Sequence, residues 1–155
     1  LLRRMNEKPA FRDYRELRDT ALRAHELACA HGARTCLCHN DFYAPNFLVK
    51  EGVMELIDWE YSGMSDYASD LGTFICCAPE YDYEDAVRVL EMYFGREPTH
   101  EELVHCMGYI AMASFYWFIW ALYKDACEEP VGEYLRLWYR NAKLYGKKTL
   151  ELAGE

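Results

Sequence analysis

Three side chains, Asp41, Asn46 and Asp58, have the types and the spacing that a catalytic site for phosphoryl transfer requires. In such sites an aspartate accepts the proton of the attacking hydroxyl, while an asparagine and a later aspartate hold magnesium. An amide oxygen and a carboxylate suit Mg²⁺, which takes a few hard oxygens from the protein and the rest from phosphates and water. The spacing therefore predicts a phosphoryl-transfer site with Asn46 and Asp58 as magnesium ligands.

The elements around these residues should hold them in a fixed geometry. Pro45 prevents the helix from continuing and restricts the residue before it, so the stretch is expected to be a rigid loop. Residues 47–50 and 53–57 are short apolar or alternating runs on either side of a turn, which predicts a β-hairpin. Because the ends of an antiparallel hairpin lie close together, Asn46 and Asp58 should emerge on the same side. In the alternative interpretation, Asn46 only shapes a turn and Asp58 only ends a strand.

Composition narrows the class of protein. With 155 residues, of which 52% are hydrophobic, the chain can bury one sizeable core, and residues 1–155 are predicted to form a single domain. The 26 acidic and 17 basic side chains give a net charge of -9, which disfavours a nucleic-acid partner and permits a cationic substrate. The seven cysteines fit neither a disulfide framework nor a zinc pattern, so we expect them to be reduced, cytoplasmic and mostly buried.

Hydrophobic periodicity predicts a mainly helical chain of the α+β class. A strand at 35–38 should lead into the loop, and helices are predicted near residues 9–31, 66–77, 83–94, 99–127 and 131–152. The helix at 99–127 should begin with a capping box formed by Thr99 and Glu102. Its apolar stretch is shorter than the roughly 20 residues that a membrane span needs, so a buried core helix is predicted and no membrane partner. The β part should be a small element of two or three strands.

Two motifs resemble those of a known family. His39-Asn40-Asp41 through Asn46, together with residues 57–63 (Ile-Asp-Trp-Glu-Tyr-Ser-Gly) and 70–72 (Asp-Leu-Gly), resemble the C-terminal lobe of the choline/ethanolamine kinase family. The resemblance is strongest to the bacterial LicA-type choline kinases and spans residues 36–134. The first motif is shared with aminoglycoside phosphotransferases and protein kinases, whereas the second is narrower and favours the choline branch.

The resemblance implies a protein-kinase-like fold in which the γ-phosphate of ATP passes to the hydroxyl of choline, with Mg²⁺ as cofactor. It makes Asp41 the catalytic base and Asn46 and Asp58 the magnesium ligands, and it gives His39 a bracing role in the catalytic loop. Asp70 would support that loop through hydrogen bonds. A plain carboxylate at a helix N-terminus is an equally good interpretation of Asp70.

The resemblance also implies a choline pocket with aromatic walls. A quaternary ammonium donates no hydrogen bond, so proteins bind it with aromatic faces and, in some cases, a carboxylate. Trp117 and Trp120 resemble the Trp-x-x-Trp that lines the pocket in this family, and Tyr61 and Tyr134 would form further walls. The two tryptophans share one face of the predicted helix with Tyr123, although such a stripe alone is more often part of a core.

The sequence departs from the family pattern in two places. Near Cys77 the family usually carries an acid and a tyrosine that contribute to the cation site, so Glu80, Asp82 or a tyrosine would have to substitute. A Gly-rich phosphate loop and a strand lysine are not found among the 38 residues before His39. We therefore expect the ATP-holding N-terminal lobe to be absent and the chain alone to be a poor catalyst.

Three alternatives to a choline kinase remain open. The first is a related kinase that acts on ethanolamine or an aminoglycoside. The second is a non-catalytic kinase-like binding domain. The third is a hydrolase that uses His39, Asp41, Asp58 and Glu60 as metal ligands.

Overall fold

The computed structural model describes residues 11–30, 32 and 35–155, and it confirms the predicted α+β class with a mainly helical body. Short 3₁₀ turns lie at Ala44–Asn46 and Trp59–Tyr61. The helices and strands are α1 Tyr14–Cys29, β1 Thr35–Cys38, β2 Phe47–Lys50, β3 Val53–Leu56, β4 Gly63–Asp66, α2 Tyr67–Cys76, α3 Tyr83–Phe94, α4 His100–Ala126 and α5 Tyr134–Ala153. The parts of the first predicted helix at residues 9, 10 and 31 lie outside the described residues.

Helix α4 is the centre of the molecule and packs against α1, α2 and α5. Its side chains Met107, Ile110 and Phe118 are fully buried in one contiguous core. By length and composition alone α4 could also cross a membrane, but 56% of its most apolar window is buried inside the fold. Its packing is that of a core helix.

Close contact between α1 and α4 depends on Gly108. A Cβ atom at this position would lie 2.5 Å from the carbonyl oxygen of Ala24 and 2.6 Å from the Cβ of Ala28. Both alanines are fully buried. Small side chains on both helices therefore let the backbones approach to a distance that a larger residue would prevent.

Capping boxes fix where two of the helices begin. Thr99 Oγ1 accepts a hydrogen bond from the Glu102 amide at 3.2 Å, and the Glu102 carboxylate accepts one from the Thr99 amide at 2.8 Å. This is the capping box predicted for α4. Asp82 and Asp85 form a reciprocal pair of the same kind at the start of α3.

The β2–β3 hairpin has the predicted register. The strands pair antiparallel from Phe47 opposite Leu56 to Lys50 opposite Val53. The two turn residues at 51 and 52 have φ angles of 52° and 80°. Positive φ at both positions is what a type I′ turn requires, and this turn matches the twist of the strands.

A second antiparallel pair, β1–β4, makes the β part larger than predicted. Thr35 pairs with Asp66 and Cys38 with Gly63, so the chain has four strands in two separate two-stranded sheets. The expectation of one element of two or three strands was wrong. The segment Gly-Met-Ser-Asp carries no apolar run, and it becomes a strand through pairing with β1.

His105 and Asp66 form a buried polar pair. His105 Nε2 lies 2.9 Å from Asp66 Oδ1, and its Nδ1 lies 2.7 Å from the carbonyl oxygen of Ala28. A carbonyl can only accept, so Nδ1 carries a proton, and the contact with Asp66 requires a further proton on one partner. Asp66 also accepts a hydrogen bond from the Ala68 amide at 2.9 Å as the N-cap of α2. The pair thus joins α1, α4 and the start of α2.

The cysteines are free, but fewer are buried than expected. The exposed thiols lie at the last residue of α1, on β1 and just after α4, where neighbouring elements leave them uncovered. Cys38, Cys76 and Cys106 are buried, Cys77 is half-buried, and Cys29, Cys36 and Cys127 are exposed.

Candidate active site

His39 anchors the loop that connects β1 to β2. The side chain is only 1% exposed. Its Nδ1 accepts a hydrogen bond from the Asp41 amide at 3.2 Å, so the ring proton is on Nε2, which donates to the carbonyl of Ile57 at 2.7 Å. The ring of Trp59 packs edge-on against the imidazole, with centroids 4.9 Å apart. The histidine therefore links the loop to the segment that follows β3.

Asp70, in the first turn of α2, binds the loop through both carboxylate oxygens. It accepts hydrogen bonds from the backbone amides of His39 and Asn40, each at 2.7 Å. Asn40 has a left-handed φ of 62°, and its side-chain amide donates to the carbonyl of Tyr61 at 2.9 Å. The structure thus places Asp70 against the loop immediately before Asp41, where sequence analysis expected it.

Asn46 directs its amide group toward Asp41. Its Nδ2 donates to the Asp41 carbonyl at 2.8 Å and to Asp41 Oδ2 at 3.1 Å. The asparagine is 6% exposed and follows Pro45 in a short 3₁₀ turn. Because Nδ2 is engaged by Asp41, the carbonyl oxygen Oδ1 is the atom left to bind a cation.

Asp58 lies next to Asn46 at the open end of the β2–β3 hairpin. Phe47 pairs with Leu56, and the Ile57 amide donates to the carbonyl of Asn46 at 3.0 Å, which extends the pairing by one residue. Asp58 follows directly, with a left-handed φ of 66°. The hairpin therefore brings Asn46 and Asp58 to the same end, as the strand pattern predicted.

The carboxylates give this end of the molecule a negative potential. Burial raises the pKa of the Tyr43 hydroxyl, and the charges of Asp41 and Asp58 raise it further. The nearby carboxylate of Glu60 is the main cause of the raised pKa of Tyr61, to which Asp41 and Asp58 also contribute. A bound cation would relieve this accumulation of negative charge.

The donor set fits a magnesium ion. Neither Asn46 Oδ1 nor the Asp58 carboxylate accepts a hydrogen bond from another described residue. Within the described part of the chain, no three His, Cys, Asp or Glu side chains form a group that could hold a metal. An ion that takes two protein oxygens and completes its shell with phosphates and water matches the behaviour of Mg²⁺. Both ring nitrogens of His39 are hydrogen-bonded, so His39 is not free to be the ligand that the hydrolase alternative needs.

Asp41 lies in the wall of a cleft of about 1150 Å³. The loop and helices α1, α2, α4 and α5 all contribute residues to its lining. Among the described residues that line it, Asp41 and Glu60 are acidic and none is lysine or arginine. Its aromatic lining consists of Tyr43, Tyr61, Tyr109, Tyr116, Trp117, Trp120, Tyr134 and Trp138. A negative cleft with aromatic walls is suited to an organic cation.

The indole rings form a cluster at the α4–α5 side. The rings of Trp117 and Trp120 are nearly perpendicular, with centroids 5.5 Å apart, and Trp138 stacks on Trp117 at 5.7 Å. Tyr134 lies 5.2 Å from Trp138. Tyr123, expected on the same face as the tryptophans, is exposed and lies outside the lining. The four predicted pocket residues, Tyr61 included, therefore line one cleft with Asp41.

Trp138 is a cleft residue that sequence analysis missed. It is only 6% exposed and contacts the rings of Trp117, Trp120 and Tyr134. Its position four residues after Tyr134 on a predicted helix places both on one face, and that spacing was the available signal.

Neither of the acids proposed as substitutes in the cation site lines the cleft. The side chain of Asp82 caps α3 by accepting a hydrogen bond from the Asp85 amide at 3.0 Å. Glu80 is exposed and also lies outside the lining. Cys77 itself lines the cleft, with Tyr43 also in the lining.

The loop, the hairpin and the helical body together have the arrangement of a choline kinase-like fold. A profile of the phosphotransferase enzyme family matches residues 2–103, more than half of the sequence. The chain therefore belongs to that family.

The similar proteins point to one branch of this family. Protein LicA of Haemophilus influenzae is 29% identical over 103 residues, which make up 63% of this chain and 38% of LicA. Ethanolamine kinase 1 of Mus musculus is 31% identical over 121 residues, 63% of this chain and 33% of that enzyme. The chain thus spans well under half the length of the curated relatives it matches.

Solved structures agree with this placement. A choline/ethanolamine kinase family protein from Mesorhizobium loti superposes with a TM-score of 0.69 and 27% identity, over 90% of this chain and 47% of that one. The choline kinase LicA of Streptococcus pneumoniae has the same fold, with a TM-score of 0.71 and 22% identity over 93% of this chain and 51% of the other. These matches confirm the resemblance found in the motifs.

Proposed function

We propose that this protein is a choline kinase, which transfers the γ-phosphate of ATP to the hydroxyl of choline and produces phosphocholine. The observation that carries the proposal is the presence of Asp41 and the indole cluster of Trp117, Trp120 and Trp138 in one cleft. Membership of the phosphotransferase enzyme family supports the reaction class. The free cysteines fit a cytoplasmic location.

In this proposal the catalytic loop acts mainly by positioning. Asp41 accepts the proton of the substrate hydroxyl as the oxygen attacks phosphorus. His39 and Asp70 fix the backbone on the N-terminal side of Asp41, and Asn46 holds its carboxylate through the 3.1 Å hydrogen bond. Asn46 Oδ1 and the Asp58 carboxylate would hold magnesium, which supplies neutralisation of the charge on the phosphate oxygens when bound.

Choline has two ends that need different surroundings. Its hydroxyl belongs beside Asp41, and its trimethylammonium group belongs against aromatic faces, which attract it without hydrogen bonds. Trp117, Trp120 and Tyr134 would form the wall for the ammonium, with Tyr61 on the loop side. The absence of lysine and arginine from the described lining removes a source of repulsion.

Ethanolamine is the second candidate substrate, because a relative at 31% identity is named ethanolamine kinase 1. A primary ammonium needs hydrogen-bond acceptors, and the described lining offers two carboxylates against eight aromatic rings. This balance favours the quaternary amine. An aminoglycoside, with several ammonium groups, would require more acceptors than a cleft of this composition provides.

Calorimetric titration of the protein with choline, ethanolamine and kanamycin tests the choice of substrate. We expect choline to bind at least several-fold more tightly than the other two, because the rings favour the quaternary cation. Tighter binding of kanamycin would assign the protein to the aminoglycoside branch.

Magnesium-dependent nucleotide binding by the complete gene product tests whether the protein is an enzyme at all. We expect ATP to bind with Mg²⁺ and to bind much more weakly with EDTA. Failure to bind nucleotide while Asp41 and Asp58 are intact would support a non-catalytic binding domain instead.

A further inference from the structure

Strand β1 carries two thiols on one of its faces. Cys36 and Cys38 are two positions apart on the strand, so their side chains point the same way, and their sulfurs lie 3.6 Å apart. Cys36 is exposed, whereas Cys38 is only 1% exposed. The pair thus consists of one thiol that a small solute can reach and a second thiol held beside it.

Cys38 connects this pair of thiols to the catalytic loop. It directly precedes His39, and the backbone amides of His39 and Asn40 each donate to the Asp70 carboxylate at 2.7 Å. The Cys38 thiol itself donates to the carbonyl of Asp66 at 3.3 Å, and Asp66 caps α2. A chemical change at the Cys38 sulfur therefore acts on the loop and on the start of α2 together.

A disulfide between the two sulfurs does not fit a regular strand. Residues two apart on a strand have Cα atoms about 6.6 Å apart, which is near the upper limit for a disulfide, and the Cβ atoms must come within about 3.8 Å. The sulfurs would move from 3.6 Å to a bonding distance of about 2.05 Å. Strand β1 must therefore bend when the disulfide forms.

The surroundings of β1 permit such a bend. Within the described part of the chain β1 pairs only with β4, so one of its edges is unpaired. The pairing places Cys38 opposite Gly63 at the end that leads into the loop. A bend at Cys38 would move the amides of His39 and Asn40, which are the groups that hold the loop on Asp70.

We propose that Cys36 and Cys38 form a redox site, in which a peroxide oxidises the pair to a disulfide and the bent strand releases the catalytic loop from Asp70. Disulfides of cytoplasmic proteins are usually transient and redox-sensing. Strained or exposed disulfides are also the ones that thiols reduce most readily, so the oxidation is reversible. This inference goes beyond the proposed function, since it concerns the loop and not the substrate.

The oxidation takes place in two balanced steps. The Cys36 thiolate attacks one oxygen of the peroxide, the O–O bond breaks, and the other oxygen leaves and takes up a proton, which leaves a sulfenic acid on Cys36. The Cys38 sulfur then attacks the Cys36 sulfur, the S–S bond forms, the S–O bond breaks, and water leaves with the Cys38 proton. Two electrons pass from the sulfurs to the peroxide, and a dithiol such as dithiothreitol returns them.

Exposure decides which thiol reacts first. Burial raises the pKa of the Cys38 thiol and also shields it, so Cys36 meets the peroxide and Cys38 resolves the sulfenic acid. Cys76 and Cys77 provide an internal comparison, because their sulfurs are 3.8 Å apart but neither residue is exposed. Limited oxidation should therefore join Cys36 to Cys38 and leave the second pair reduced.

Mass spectrometry of the complete gene product tests the chemistry. After brief treatment with hydrogen peroxide we expect a loss of two hydrogen atoms that maps to the peptide carrying Cys36 and Cys38 and is reversed by dithiothreitol. Cys36→Ser, at an exposed position, should fold normally and lack this change. Cys29→Ser, which removes another exposed thiol, should retain it. A Cys36 that goes only to sulfinic or sulfonic acid, with Cys38 unmodified, would overturn the proposal.

Hydrogen exchange of the backbone amides, followed by NMR, tests the effect on the loop. We expect the amides of His39 and Asn40 to exchange at least about tenfold faster in the oxidised protein than in the reduced one. Peroxide should not change their exchange in Cys36→Ser. Formation of the disulfide without faster exchange of these amides would overturn the proposed release of the loop.

These two measurements need neither nucleotide nor choline, so their outcome is independent of the proposed function. Absence of phosphocholine formation by the reduced protein would reject the choline kinase and leave the redox site intact. Conversely, a reduced protein that makes phosphocholine and forms no disulfide would retain the proposed function and lose the redox site.

Discussion

At the scale of single residues, Asn46 connects the two parts of the proposed chemistry. Its amide nitrogen donates to the carbonyl and the carboxylate of Asp41, which leaves its oxygen for the proposed metal. One side chain can thus orient the base and bind the metal. Because it is nearly buried, its orientation is set by these hydrogen bonds and changes little with solvent.

Asp58→Asn tests the metal ligand. Asparagine tolerates the left-handed backbone of this position, so folding should be retained, with a melting temperature close to that of the unmodified protein. Loss of the carboxylate should lower the choline-dependent turnover of the complete gene product by about two orders of magnitude or more. Glu55→Gln, an exposed carboxylate on the same hairpin, is the matched control. Turnover equal to that of the control would remove Asp58 from the metal site.

Trp120→Ala tests the aromatic wall. Loss of one ring should weaken binding of the choline cation by about 0.5–2 kcal/mol, seen mainly as a higher KM for choline. Tyr123→Ala removes an exposed ring of the same helix outside the cleft and should have little effect. Steady-state kinetics with choline distinguishes the two variants, and identical KM values would argue against the aromatic cage.

At the scale of elements, the start of α2 serves both folding and the site. Asp66 caps this helix and pairs with His105 of α4, while Asp70, one turn later, holds the catalytic loop. This stretch of five residues, 66–70, therefore ties the loop to the central helix. Substitution of either member of the buried pair should lower the stability of the fold, and it should lower activity only indirectly, through the loop.

His105→Ala tests the buried pair. The change leaves Asp66 buried with one partner fewer and should lower the free energy of unfolding by about 3–5 kcal/mol, as measured by urea denaturation. His100→Ala, at an exposed position of the same helix, provides the comparison. A loss below about 1 kcal/mol would mean that the pair contributes little to folding.

The capping box of α4 predicts a pH-dependent contribution to stability. Hydrogen bonds from Arg96 and from the Thr99 amide lower the pKa of Glu102 to about 2. A depressed carboxylate pKa stabilises the fold above the unfolded-state value, and this contribution is lost as pH falls toward 2. Glu102→Gln should therefore cost about 1 kcal/mol at pH 7 and almost nothing near pH 2. Thermal melts of both proteins at several pH values measure the difference, which should not persist in acid.

Local sequence patterns predicted the elements whose structure depends on residues within the element itself. The hairpin and the helix Tyr83–Phe94 matched the prediction, because alternation, turn residues and caps lie within the segments themselves. Strand β4 was missed because Gly63–Asp66 becomes a strand only by pairing with β1, which ends at Cys38, 25 residues before Gly63. The contact of His105 with Asp66 spans 39 positions and leaves no local signal.

The residues of the candidate site also divide into those that a local sequence pattern predicted and those that only the packing of distant elements brings to the cleft. The spacing of Asp41, Asn46 and Asp58 along the chain predicted a shared site, and the hairpin brings the last two to the same end. Trp138 and Cys77 line the cleft through the packing of α2 and α5 against α4, which no short motif encodes.

At the scale of the whole molecule, charge and shape agree with a cationic substrate. The net charge of -9 is accompanied by a cleft whose described lining contains two acids and neither lysine nor arginine. Long-range attraction would therefore speed the approach of an amine, and added salt should slow it. That residues 1–155 form a single domain without an ATP-holding lobe stays a prediction. The curated relatives are more than twice as long as the region of them that this chain matches.

Phosphorus NMR of the complete gene product with MgATP and choline tests the central claim most directly. The account predicts a phosphocholine signal that requires magnesium and disappears in Asp41→Asn. It would be contradicted if MgATP and choline both bind and no phosphocholine forms.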